Sequence, residues 1–198
     1  MISEINSRRS IRRYTGEPVS REQILALLEA GNRAPSAKNR QPWRFLVLTG
    51  KAKDEAVEAM RQGIAREKAG DALLPGSSRH LPGAEHTADI VEQAPVLILV
   101  SNPYGYKLDD RLLPEQRIYD LANLLSVGAC VQNICLEAEA QGLGSLWICD
   151  IFFAYEELSR RFWMPGQIVT AVAIGHPDES PVPRPRQPLK EITEWREG

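Results

Sequence analysis

The stretch RRSIRRY at 8–14 packs four arginines and a serine into seven residues, and RPR at 184–186 adds two more arginines near the other end of the chain. Arginine presents a planar fork of donors that matches phosphate bidentately, and Ser10 sets a compact hydroxyl beside it. If the fold joins the two ends, Arg8, Arg9, Arg12 and Arg13 would meet Arg184 and Arg186 in a compact dianion site. Solvated surface charge is the alternative. A nucleic-acid groove is the weaker reading, since it calls for aromatic side chains interleaved with the bases and only Tyr14 is near.

A second stretch, PSAKNRQPW at 35–43, sets Ser36, Asn39 and Gln41 between Pro35 and Pro42. Amide and hydroxyl groups on a stiffened backbone suit the edge of a flat heterocycle, although Asn and Pro are also ordinary loop residues. Other chemistries find little support. His80, His86 and His176 lack HxxxH or HExxH spacing, so no metal centre is expected. Cys130, Cys135 and Cys149 contain no CxxC, and an odd number at irregular spacing suggests reduced thiols and a cytoplasmic setting. GLGS at 142–145 carries only the first half of a dinucleotide fingerprint. No Ser/His/Asp, Cys/His or carboxylate pair is evident. Asp109, Asp110 and Glu115 read as solvated loop and helix-start charges.

The elements that must hold these residues belong to one domain. The chain has 198 residues, 43% apolar and 25% charged, with a net charge of −2, which argues against general nucleic-acid binding. The N-terminus has no apolar signal region, and the densest apolar run, APVLILV at 94–100, is too short to span a bilayer. Helices are expected at 3–8, from the Ser20 cap to just before Gly31, and at 51–69, 86–94, 114–141 and 154–163, with strands at 43–49, 95–101 and 168–175 and a turn leading into a strand at 142–149. Ser20 and Gln23 form a capping box for the second helix. Residues 70–86, rich in Gly, Pro and Ser, read as a loop, and 66–92 as a mobile lid. The helix at 114–141 is apolar nearly all round, which points to burial on most sides, preferably at a subunit interface. The five prolines of 176–195 predict an extended arm over 176–198. Irregular alternation of helices and strands predicts an α+β fold with a central sheet.

Four segments, RRSIRRY, APSAKNRQPWRF, GLGSLWIC and AIGHPDESPVPRPRQPL, resemble in order and spacing the nitroreductase-like FMN-dependent oxidoreductases. The resemblance runs from about residue 4 to residue 195 and is weakest over 66–92. It implies a sandwich with a mostly antiparallel sheet flanked by helices, and an intertwined homodimer with two FMN sites at the subunit interface. Arg8, Arg9, Ser10 and Arg12 match the first flavin-binding segment, with Arg8, Ser10, Arg184 and Arg186 near the phosphate and ribityl chain and Arg12 towards the pyrimidine end. Pro35, Ser36, Ala37, Asn39 and Gln41 match the segment given by the other subunit. Leu146, Trp147, Ile148 and Cys149 match the strand end over the isoalloxazine, which points a backbone N–H towards N5. Relatives often carry glycine where this chain has Cys149, so the cysteine reads as a small-residue replacement rather than a redox thiol.

That resemblance also explains the missing protein nucleophile. Flavin performs the transfer while the protein supplies orientation and field. NADH or NADPH would stack on the flavin, leave, and be replaced by a small acceptor such as a nitroaromatic or quinone. The pocket walls are expected from 66–86 and 103–113, including His80, Tyr104 and Tyr106. Flavin fragmentation, dehalogenation, enoate reduction or non-catalytic FMN binding are the alternatives.

Overall fold

The run VLILVSN at 96–102 has no polar alternation, as befits a strand covered on both faces, and every one of its residues is buried. The computed structural model describes residues 1–197. Four strands form one sheet: β1 (Arg44–Thr49), β2 (Val96–Asn102), β3 (Gly144–Ile148) and β4 (Gln167–Gly175), in the order β1-β2-β4-β3. All three pairings are antiparallel, with Leu46 opposite Leu99, Leu99 opposite Ala171 and Leu146 opposite Ala173.

Around the sheet lie α1 (Ser3–Ser7), α2 (Arg21–Asn32), α3 (Gly50–Ala69), α4 (Leu81–Gln93), α5 (Pro114–Ala140), α6 (Tyr155–Arg161) and α7 (Leu189–Ile192). On one face Met60, Ile64, Val91 and Leu158 pack with Leu97, Leu99 and Ile148. On the other, Leu27, Val127, Val131 and Ile134 pack with Ile98, Val100 and Val172. The result is the α+β sandwich expected from the sequence. The α2 cap forms as its spacing predicts: Ser20 Oγ accepts the Gln23 N–H at 3.2 Å, and Gln23 Oε1 accepts the Ser20 N–H at 3.1 Å.

Helix α5 has 27 residues, or about 40 Å at 1.5 Å per residue. Its length and composition would suffice to cross a membrane, yet its second half is packed against α2 and the sheet. The first half differs. Ile118, Tyr119, Leu121 and Leu125 are exposed there, a run of large apolar side chains without cover in one chain.

Two expected boundaries need correction. The loop read at 70–86 ends earlier, because α4 begins at Leu81 and 75–80 form a 3-10 turn. The Leu81-Pro82-Gly83 sequence looks like a breaker, but proline fits a first helical turn where its missing N–H costs nothing. Burial of Leu81 and Ala84 then holds that turn in place. Of the segment read as a lid, 66–69 lie in α3 and 81–92 in α4. The arm is extended as far as Pro188, after which LKEI, free of proline, makes one helical turn.

Candidate functional site

The N-terminal arginines are placed by the edge of the sheet. Ser10 bridges Ser145 of β3 in parallel, and the Ile11 N–H donates to the Ser145 carbonyl at 3.0 Å. Gly144 permits this approach: a Cβ there would stand 2.8 Å from Ile11 Cγ2. Tyr14 is buried beneath, its hydroxyl 3.0 Å from the Ile11 carbonyl and 3.3 Å from that of Ala173. Burial pushes its phenol far above the ordinary range, so it remains a donor.

The C-terminal arm follows the same segment. The Thr15 N–H donates to the His176 carbonyl at 3.0 Å, and the Asp178 N–H to the Arg13 carbonyl at 2.9 Å. The Glu179 carboxylate accepts the Arg12 N–H at 2.5 Å. These bonds carry the chain to Pro181, Val182, Arg184 and Arg186, which line a cleft of ≈ 330 Å³ with Arg8, Arg9, Ser10 and Arg12. The two ends of the sequence therefore meet in one strongly cationic cleft. Its arginines are not equivalent. Arg9 Nη1 is committed to the carbonyls of Asn6, Ser7 and Arg8 at 2.7–2.8 Å, closing the end of α1. Arg13 lies outside and pairs with Asp178 at 3.2 Å. Arg8, Arg12, Arg184 and Arg186 have no acidic ion-pair partner among the described residues.

The amide loop stands elsewhere. None of Pro35, Ser36, Ala37, Asn39 or Gln41 lines the arginine cleft of the same chain. Lys38, Asn39 and Gln41 adopt positive φ of 54°, 52° and 50°, a conformation that costs L-residues about 1 kcal/mol or more each. Internal bonds hold the strain: Ser36 Oγ accepts the Gln41 N–H at 3.0 Å, and Gln41 Nε2 donates to Asn39 Oδ1 at 3.0 Å. Ser126 of α5 anchors the loop by accepting the Ala37 N–H at 3.2 Å.

At the end of β3, Leu146 and Ile148 point into the core while Trp147 is partly exposed. Trp147 Nε1 donates to Thr170 Oγ1 at 2.8 Å, and Thr170 donates in turn to the Ile148 carbonyl at 2.6 Å. Thr170 thus fixes the strand end from β4, a role the sequence reading missed. The signal was a lone hydroxyl in the apolar run IVTAVAIG. Burial raises the Cys149 thiol despite a hydrogen bond to Thr170 that works the other way.

Of the expected pocket wall, Leu73, Lys107, Leu108 and Asp109 come together, with Tyr155, Phe162 and Met164, around a cavity of ≈ 460 Å³. His80, Tyr104 and Tyr106 do not line it. Leu73 is held by Glu67, whose side chain is 2% exposed and whose carboxylate accepts the Leu73 and Leu74 N–H groups at 2.8 and 3.2 Å. Arg66 bridges Glu67 at 2.9 Å and Glu157 at 2.8 Å.

The sequence pattern of the Nitroreductase family matches residues 5–176. A Thermus thermophilus protein named NADH dehydrogenase is 30% identical over 199 residues, covering 96% of this chain and 92% of that protein. A 5,6-dimethylbenzimidazole synthase from Rhodospirillum rubrum is 26% identical, over 89% of this chain and 82% of that protein. Among solved structures, a Desulfovibrio desulfuricans protein of nitroreductase type, in complex with FMN, is 31% identical with a TM-score of 0.71, covering 99% of this chain and 96% of that one. An FMN-dependent nitroreductase from Mycobacterium smegmatis, in complex with NADPH, shares the fold at 20% identity and a TM-score of 0.77, over 98% and 96% of the two chains.

Proposed function

Since the chain belongs to the nitroreductase family, we propose that it is an FMN-dependent oxidoreductase that draws electrons from NADH or NADPH and passes them to a small acceptor of the nitroaromatic or quinone class. The observation that carries this reading is the convergence of Arg8, Arg12, Arg184 and Arg186 on one cleft beside Ser10. The family match ends at residue 176, so the two arm arginines rest on the resemblance of AIGHPDESPVPRPRQPL and on their place in the cleft. Guanidinium forks and a hydroxyl are the donor set that a phosphate dianion requires, so the residues present fit the FMN phosphate.

The chain's own residues divide the work. Arg8, Arg184, Arg186 and Ser10 hold the phosphate, while Arg9 keeps the turn after α1 in shape. Arg12, its backbone N–H tied to Glu179 and its guanidinium Nη1 donating to the Ser10 carbonyl at 3.2 Å, supplies a fixed cation that favours reduction of a neighbouring electron acceptor. Leu146–Cys149, braced by Thr170, offer a rigid strand end against which a flat ring can lie. FMN, when bound, supplies the hydride transfer itself. Because Pro35–Gln41 stand apart from the cleft, one chain carries two half-sites, and a second copy brings them together. Ile118, Leu121 and Leu125, exposed on one face of the first half of α5, are the surface across which the homodimer forms, and Ser126 of the same helix anchors the loop.

The test is a visible spectrum of the purified protein followed by anaerobic addition of NADH and of NADPH. Flavin bands that bleach with a nicotinamide and return with a nitroaromatic or quinone are the expected result. Protein that is colourless and takes up no added FMN would refute the reading.

A further inference from the structure

The strained loop carries two cations that the flavin assignment leaves unused. Arg40 lies between two tyrosines, its guanidinium carbon 5.3 Å from the Tyr104 ring centre and 5.5 Å from that of Tyr119. Lys38 Nζ stands 6.0 Å from the same Tyr119 ring. Two like charges thus share one aromatic platform, and neither has an acidic ion-pair partner among the described residues. The arrangement is also built. Ser126 anchors the loop at Ala37, and positive φ at Lys38, Asn39 and Gln41 sets the two cations on the platform. Gathering like charges without a counter-ion opposes folding, whereas an arriving anion would be stabilised by both.

We propose that Lys38 and Arg40, presented on Tyr104 and Tyr119, bind a phosphate of the nicotinamide donor. This inference rests on the flavin reading above, because that reading brings the Pro35–Gln41 loop, and with it Lys38 and Arg40, to the partner's flavin site. The arginine cleft is set aside for the FMN phosphate, so a dinucleotide arriving at the open side needs its own anion contact. A phosphate on a guanidinium fork and an ammonium supplies one. Two phosphates have the required chemistry, namely the pyrophosphate common to both donors and the 2′-phosphate of NADPH alone.

The test uses flavin-loaded protein and the variants Lys38→Gln, Arg40→Gln and Arg40→Lys. Calorimetric binding of NAD⁺ and NADP⁺ is measured beside KM for NADH and NADPH, with flavin content as the control for an intact site. Loss of one charge-assisted contact at an exposed position weakens binding about tenfold. Weakening of both dinucleotides by the Gln variants assigns the pyrophosphate, and weakening of NADP⁺ alone assigns the 2′-phosphate. Arg40→Lys should recover part of the loss. Gln variants that bind both dinucleotides as the parent does, while their flavin is still reduced, overturn the inference and leave the oxidoreductase reading standing. Failure of the parent flavoprotein to be reduced by either donor removes the reading itself and this inference with it.

Discussion

The backbone N–H of Ile11 donates to the carbonyl of Ser145 at 3.0 Å, and this bond aligns the arginine stretch with the sheet edge. The edge strand would otherwise offer an open row of donors and acceptors. Here the N-terminal segment occupies part of it, and the C-terminal arm then follows that segment through Thr15 and Asp178.

Gly144→Ala tests how closely the two must approach. The new Cβ would stand 2.8–2.9 Å from three carbons of Ile11, an overpacking that costs about 1–3 kcal/mol. Thermal unfolding should show a lower Tm, and flavin titration a weaker site because the arginines move with Ile11. A variant that melts and binds FMN as the parent does would mean that the contact is slack.

Arg184→Ala and Arg186→Ala separate phosphate binding from ring binding. Each should weaken FMN binding about tenfold or more. Riboflavin has no phosphate, so its affinity should change little in either variant. Fluorescence titration with the two flavins reads the ratio directly. An equal loss for both would place these arginines on the ring rather than the phosphate.

Leu125→Glu addresses the uncovered face of α5. Leu125 is 76% exposed, so the change should leave the fold of one chain intact while burying a charge in the dimer. Light scattering after size exclusion should then report a monomer, and flavin content should fall with it. A dimer that persists with full flavin would locate the interface elsewhere.

The candidate site residues stand out in the sequence because arginine-rich and amide-rich runs are local. Their meeting could be expected only through the family resemblance. It depends on bonds from Ile11 to Ser145 and from Asp178 to Arg13, far apart in the chain, and no local pattern encodes them. The Ser20–Gln23 cap and the buried β2 run were readable for the same local reason. The start of α4 was misjudged because Pro82 and Gly83 punctuate a chain only when tertiary burial does not outweigh them. Burial of Leu81 and Ala84 does. Arg40 was passed over because its role depends on Tyr104 and Tyr119, which lie in other elements.

Buried thiols predict how stability responds to alkali. Burial pushes Cys130 up to about 12, whereas an unfolded thiol ionises near ~8.5. Above that pH the unfolded chain holds fewer protons than the folded one, so stability is complete below it and falls as pH climbs towards 12. The slope from one such group approaches about 1.4 kcal/mol per pH unit. Urea unfolding between pH 8.5 and 10.5 should show this decline, and Cys130→Ala should flatten it in part. Cys135 and Cys149, also raised by burial, sustain most of the remainder, joined by Tyr14 and Tyr155 above about pH 10. An unchanged slope in the variant would contradict the assignment.

We propose that each flavin site is completed by two chains, with the arginine cleft from one and the Pro35–Gln41 loop from the other. Subunit complementation decides this. Arg8→Ala/Arg184→Ala protein and Asn39→Ala/Gln41→Ala protein are each purified, unfolded, mixed and refolded together, and tight FMN binding is counted per dimer. Each variant should bind weakly alone, while the mixed dimer regains one tight site, built from the two unaltered halves. If every site lies within one chain, mixing restores none, and that result would contradict it.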